Sequence, residues 1–153
     1  MFSDIEESSR REPLARKSPS RELLKKSYVV LRNELSAFLG RQLKTNGDGL
    51  MATFEGPARA IRFACSARKK MREMGLQIRT GLHTGECELV ADEVRGTAVD
   101  IAARVTSLAH PDEVLLSSTV KDLVAGSNIQ FVDRGIHTLE AIPGEWHLFR
   151  VAD

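Results

Sequence analysis

Long apolar runs are missing from this 153-residue sequence. Its longest uncharged stretch, Leu123 to Val132, contains Ser, Asn and Gln. A membrane-spanning helix needs about twenty mainly apolar residues, so no span is expected. The first residues, Met-Phe-Ser-Asp-Ile-Glu-Glu, lack the basic start and apolar core of a secretory signal. Cysteine is scarce: Cys65 and Cys87 form no CxxC motif, which argues against a secreted disulfide scaffold and for a reducing, cytoplasmic setting. Aromatic residues make up 5% of the chain, and 22 Lys+Arg against 21 Asp+Glu leave a net charge of +1. Nucleic-acid binders usually show a basic excess with aromatic platforms, so neither that role nor attraction to an anionic membrane is expected.

The chain is long enough to bury a proper core, and nothing in it reads as a linker or a repeat, so residues 1–153 are expected to form a single domain. Residues 1–5 read as the end of a strand. A polar, basic stretch follows from Ser9 to Lys26, the composition of a solvated loop or helix face. Ser18-Pro19 predicts a helix start, and Leu24, Tyr28, Leu31, Leu35 and Phe38 then mark one apolar face before Gly40. Residues 41–54 read as a hairpin around Asn46-Gly-Asp-Gly49, and Pro57 opens a second helix that Gly75 closes. Leu76–Leu82 and Cys87–Ala91 read as a further strand pair, and Thr97–Ala109 as a third helix. Short strands near 114–117, 129–132 and 146–151 and a short helix near 119–125 complete the chain. Strand, helix, hairpin, helix, strand is the split βαβ order of an α+β, ferredoxin-like sandwich, here with a C-terminal extension.

Two carboxylates stand out in that order. Asp4 lies at the end of the first strand and Asp48 in the hairpin turn, and the split βαβ arrangement makes those elements neighbours. Paired carboxylates with backbone and phosphate oxygens suit Mg²⁺ or Mn²⁺. By contrast His83 reads as a hydrogen-bonded packing residue, and His110, His137 and His147 show no metal-ligand spacing.

Phe2-Ser-Asp-Ile-Glu6, Lys44-Thr-Asn-Gly-Asp-Gly49, Arg79-Thr-Gly-Leu-His-Thr-Gly-Glu86 and Gly96-Thr-Ala-Val-Asp-Ile-Ala-Ala-Arg104 occur together in this sequence, in this order. The tail adds Phe131-Val-Asp-Arg-Gly135 and Pro143-Gly-Glu-Trp-His-Leu-Phe-Arg150. This set resembles the class III nucleotidyl cyclases over essentially the whole chain, in the compact style of bacterial adenylate cyclases. The resemblance implies a homodimer that converts ATP to 3′,5′-cyclic AMP and pyrophosphate, using two Mg²⁺ or Mn²⁺ ions in each site shared between protomers. Asp4, Asp48 and the Ile5 carbonyl match the metal ligands. Lys44 matches the adenine-selecting lysine, and Glu93 falls where an adenine-reading Asp is usual. Arg104 matches the arginine that stabilises charge at the α-phosphate. Asp100 stands where many members carry a ribose-binding Asn; four residues before Arg104 on one helix, it is also placed to pair with it. Glu7 replaces a common Gly, and Glu140, in Leu139-Glu-Ala-Ile142, stands where related sequences often carry a phosphate-facing Lys. The sequence leaves open any regulatory domain or protein.

Overall fold

The computed structural model describes residues 2–6, 19–43, 49–91 and 93–153, the first of these as backbone alone. Glu7, Ser18, Lys44 and Asp48 lie outside the described residues. The elements run β1 (Phe2–Glu6), α1 (Arg21–Ala37), β2 (Arg41–Leu43), β3 (Leu50–Thr53), α2 (Pro57–Glu73), β4 (Gln77–Leu82), β5 (Glu88–Val90), β6 (Glu93–Arg95), α3 (Thr97–Leu108), β7 (Val114–Ser117), α4 (Ser118–Leu123), β8 (Phe131–Leu139) and β9 (Ile142–Val151).

Seven strands form one mixed sheet in the order β2-β3-β1-β4-β7-β9-β8. β1 lies antiparallel between β3 and β4, so β1-α1-β2 encloses β3 and β3-α2-β4 encloses β1. These are two interlocked split βαβ units, the expected α+β ferredoxin-like core. β7 adds in parallel to β4, and the β8–β9 hairpin extends the edge.

Local chemistry explains the helices. In α1 the N-cap is Ser20, whose hydroxyl accepts the Leu23 N–H at 3.1 Å. The expected start at Ser18-Pro19 therefore moves two residues on, because Ser20 offers the same capping oxygen and Pro19 stays outside the helix. The apolar stripe buries Leu31 and Leu35, along with Ser27 and Glu34. Burial opposes ionisation of Glu34, but a hydrogen bond and charge from Lys70 and a hydrogen bond from Ser66 outweigh it and hold the carboxyl below its ordinary range. α2 opens with Pro57 in its first turn after Gly56 and ends before Gly75, whose φ of 75° suits a residue without a Cβ.

Both faces of the sheet are covered. Leu31 and Leu35 of α1 and Phe63, Ala67 and Met71 of α2 pack on Leu50, Ala52 and Ile78. Ile61 and Ala64 of α2 continue that layer over Leu82, Val114 and Leu116. On the other face Ile101 and Val105 of α3 pack on Leu115 and Leu148. Alternation within β7 thus sends neighbouring side chains to opposite layers, which is why all four of its residues are buried. Gly81 lets α3 approach β4 closely: a Cβ there would lie 2.7 Å from the Thr106 Cα.

Two readings of the chain need correction. The segment after β4 does not pair back onto it. β5 pairs with β6 in a separate two-stranded sheet, with Val90 opposite Glu93 and Ala91 at φ 54° in the turn. All of β5 is exposed, so no buried face registers it against the main sheet. β8 and β9 are also longer than the expected 129–132 and 146–151 segments. Gly135 at φ 82° and register shifts between Asp133/Ile136 and Thr138/Leu139 break the strict alternation by which a strand is recognised.

Candidate active site

Asp4 and Ile5 are carried by β1 in the middle of the sheet, opposite Arg79 and Ile78 of β4. On its other side β1 pairs Ser3 with Leu50, and continuing that antiparallel register by one residue sets Asp4 level with Gly49. Asp4 therefore lies at the base of the connection between Leu43 and Gly49, the segment containing Lys44 and Asp48. The expected neighbourhood of the first strand and the hairpin holds at the level of the backbone. Among the described residues no cluster of three or more His, Cys, Asp and Glu side chains could hold a metal ion. The proposed donor set, two carboxylates and a carbonyl, spans both Asp4 and a residue beyond them. All its donors are hard oxygens, which fit Mg²⁺ or Mn²⁺ and not a softer metal.

Asp100 and Arg104 lie one turn apart on α3, which Ile101, Ala102 and Val105 bury against the sheet. The i,i+4 pairing expected of them is not what forms. The Arg104 Nη1 donates instead to the Glu140 Oε2 at 3.1 Å, across to the turn between β8 and β9. A helical pair of this kind is worth only a few tenths of a kcal/mol, so a carboxylate presented from another element readily displaces it. Glu93, at the start of β6, is exposed and accepts a hydrogen bond from the Arg95 guanidinium at 2.8 Å. Sequence reasoning marks a carboxylate at position 140 but not its partner, since nothing local links a helix to a turn so far along the chain.

A cavity of about 300 Å³ opens between the end of β3, the start of α2, the segment after β4 and the first turns of α3. Phe54, Pro57, His83, Cys87, Ala98 and Val99 are among its walls. The His83 Nδ1 shares a hydrogen bond with the Ser117 hydroxyl at 2.7 Å, and its ring meets Trp146 edge-on at 5.6 Å. Burial pushes the His83 pKa below its ordinary value of 6.5, favouring the neutral ring. The packing role read from the sequence is the one observed. Gly85 lets the chain after β4 press onto α3: a Cβ there would lie 2.8 Å from the Ala98 Cβ.

Among the described residues no helix is long and apolar enough to cross a membrane. Comparison with known proteins gives the same architecture. The adenylyl cyclase CyaB from P. aeruginosa superposes with a TM-score of 0.83 at 22% identity, covering 99% of this chain and 91% of that one. A Trypanosoma brucei adenylate cyclase, solved in its monomeric state, superposes with a TM-score of 0.82 at 17% identity over 98% of this chain and 87% of that one. In sequence, the uncharacterized protein Rv0891c of Mycobacterium tuberculosis is 34% identical over 105 residues, 65% of this chain. A Rhizobium meliloti protein assigned by name to the adenylate cyclases is 27% identical over 129 residues, 78% of this chain. The matched region is 22% of the Rhizobium protein and 36% of the mycobacterial one, so the chain spans a minor part of these relatives. The sequence model of the adenylate and guanylate cyclase catalytic domain matches residues 1–152, and the chain belongs to that family.

Proposed function

We propose that this chain is an adenylate cyclase catalytic domain acting as a homodimer, with each site built from two protomers. Membership of the cyclase family across residues 1–152 carries the reading. The β1–β3 register supports it: Ser3 pairs with Leu50, the start of the strand that follows the segment containing Lys44 and Asp48. In the reaction the ribose 3′-oxygen of ATP attacks the α-phosphorus, the bond to the bridging oxygen breaks, pyrophosphate leaves, and the hydroxyl proton passes to solvent.

Asp4, Asp48 and the Ile5 carbonyl would hold two Mg²⁺ or Mn²⁺ ions, which when bound supply charge neutralisation at the phosphates and activation of the 3′-oxygen. Lys44 donates to an adenine ring nitrogen, and Glu93 accepts from the exocyclic amino group. Reading guanine O6 and N1–H calls for a different donor and acceptor set. Arg104 meets the charge that builds on the α-phosphate; a preorganised donor there contributes about 2.7–4 kcal/mol to the transition state. Asp100 faces the ribose. Its placement on α3 fixes it relative to Arg104, because the buried side of that helix packs on β7 and β9.

A second reading is favoured by one observation. Arg104 already faces a carboxylate within its own protomer, as expected of a cyclase-homology domain that dimerises and binds nucleotide but turns over poorly or not at all. Incubating purified protein with ATP or GTP and Mn²⁺ or Mg²⁺ separates the readings. Cyclic AMP from ATP in preference to cyclic GMP from GTP is the expected result. Nucleotide binding without cyclic product establishes the second reading.

A further inference from the structure

We infer that Glu140 is a positioning residue that occupies Arg104 in the substrate-free protomer and yields it to the phosphates of an incoming nucleoside triphosphate. The inference deepens the cyclase reading and rests on it for the identity of the ligand.

Three features carry it. The contact is a single hydrogen bond from Nη1 at 3.1 Å, so the Arg104 fork is engaged at one point by this carboxylate. The two partners are unequally held. Arg104 projects from a helix whose neighbouring Ile101 and Val105 are buried, while Glu140 sits at a two-residue turn beside Ala141, with its side chain 81% exposed. The carboxylate can therefore swing into solvent while the guanidinium stays in place. Finally, the Arg104 side chain is 42% exposed and open to a ligand from outside. A triphosphate brings more negative charge and more acceptor oxygens than one carboxylate. Displacing an exposed ion pair costs it only about two- to fivefold in equilibrium. The bound carboxylate thus taxes every ligand that uses Arg104 and spares those that do not.

The test compares Glu140→Gln with the wild type by kcat/KM for ATP with Mn²⁺, and by binding of N-methylanthraniloyl-ATP with Mn²⁺. Both proteins are also measured in an Arg104→Gln background. Equal melting temperatures establish that the exposed substitution leaves the fold intact. The expected result is a two- to fivefold gain in kcat/KM or in nucleotide affinity that disappears when Arg104 is absent. Unchanged or weaker values overturn the inference, as does an equal gain without Arg104, which would reflect only the lost surface charge. If the wild type makes cyclic AMP and Glu140→Gln changes neither quantity, the inference alone fails. If no variant makes cyclic nucleotide but Glu140→Gln tightens binding through Arg104, the cyclase reading fails and the inference stands.

Discussion

His83 and Ser117 meet across the parallel pair β4 and β7, with the imidazole Nδ1 and the hydroxyl oxygen 2.7 Å apart. The register that pairs Leu82 with Leu116 sets the next residues of the two segments side by side. A buried hydroxyl and a half-buried ring satisfy each other there, and burial keeps the ring's pKa below 6.5. The unfolded chain therefore binds this proton more readily than the folded one. The stabilising contribution is complete above pH 6.5 and is lost as pH falls through the lowered folded value. Melting temperatures measured between pH 7.5 and 5 should fall with acidity in the wild type, and less steeply in His83→Gln. Parallel slopes in the two proteins would show that His83 is not the titrating group. Glu113, held below 4.5 by Arg134 and the His110 N–H against the opposing effect of burial, contributes only at lower pH.

Asp4→Asn and Asp48→Asn should each lower cyclase activity by about a hundredfold or more, since in the proposed site each would supply charge to the same pair of ions. Far-ultraviolet circular dichroism and dimer content should stay at wild-type values. A rate unchanged in either variant removes that residue from the site.

If the metal aspartates come from one protomer and Lys44, Glu93 and Arg104 from the other, the proposed shared site makes a quantitative prediction. Mixing Asp48→Asn with Arg104→Ala should give about a quarter of wild-type activity after full subunit exchange. Half of the dimers are then mixed, and each mixed dimer carries one intact site of two. A mixture as inactive as its parents, with exchange verified by native mass spectrometry, contradicts the interface.

Gly81→Ala should destabilise the fold by about 1–3 kcal/mol, because the new methyl group meets the Thr106 hydroxyl and, behind it, the Thr106 backbone of α3, which cannot give way as a flexible side chain end could. Chemical denaturation reads this directly. Activity should fall further than stability alone explains, since the helix carrying Arg104 is pushed from the sheet.

Much of the architecture is legible in the sequence because its main elements announce themselves locally. The Leu31 and Leu35 face of α1, Pro57 at the head of α2 and the antiparallel pairing of β2 with β3 each follow from neighbours a few residues away. The β5–β6 hairpin is not legible, since its exposed residues carry no burial pattern. Nor is the length of β8, where Gly135 and two register shifts interrupt alternation. In the candidate site, the placement of β1, which carries Asp4, beside β3 is legible through topology. The partner of Arg104 is not, because Glu140 reaches it only once β8 and β9 have folded back beside α3. Lys44 and Asp48 lie outside the described residues.

The position of β1 has a consequence for assembly. Its five residues are the only strand joining β2 and β3 to the rest of the described main sheet, and both of its partners come much later in the chain. Pairing of this kind is non-local, and its loop-closure cost makes it slow. β1 supplies the strand-to-strand hydrogen bonds across that seam, so forming it and setting Asp4 beside β3 are one event. Any ligand that binds through Asp4 favours by mass action the state in which β1 is paired, and so stabilises the seam between β3 and β4.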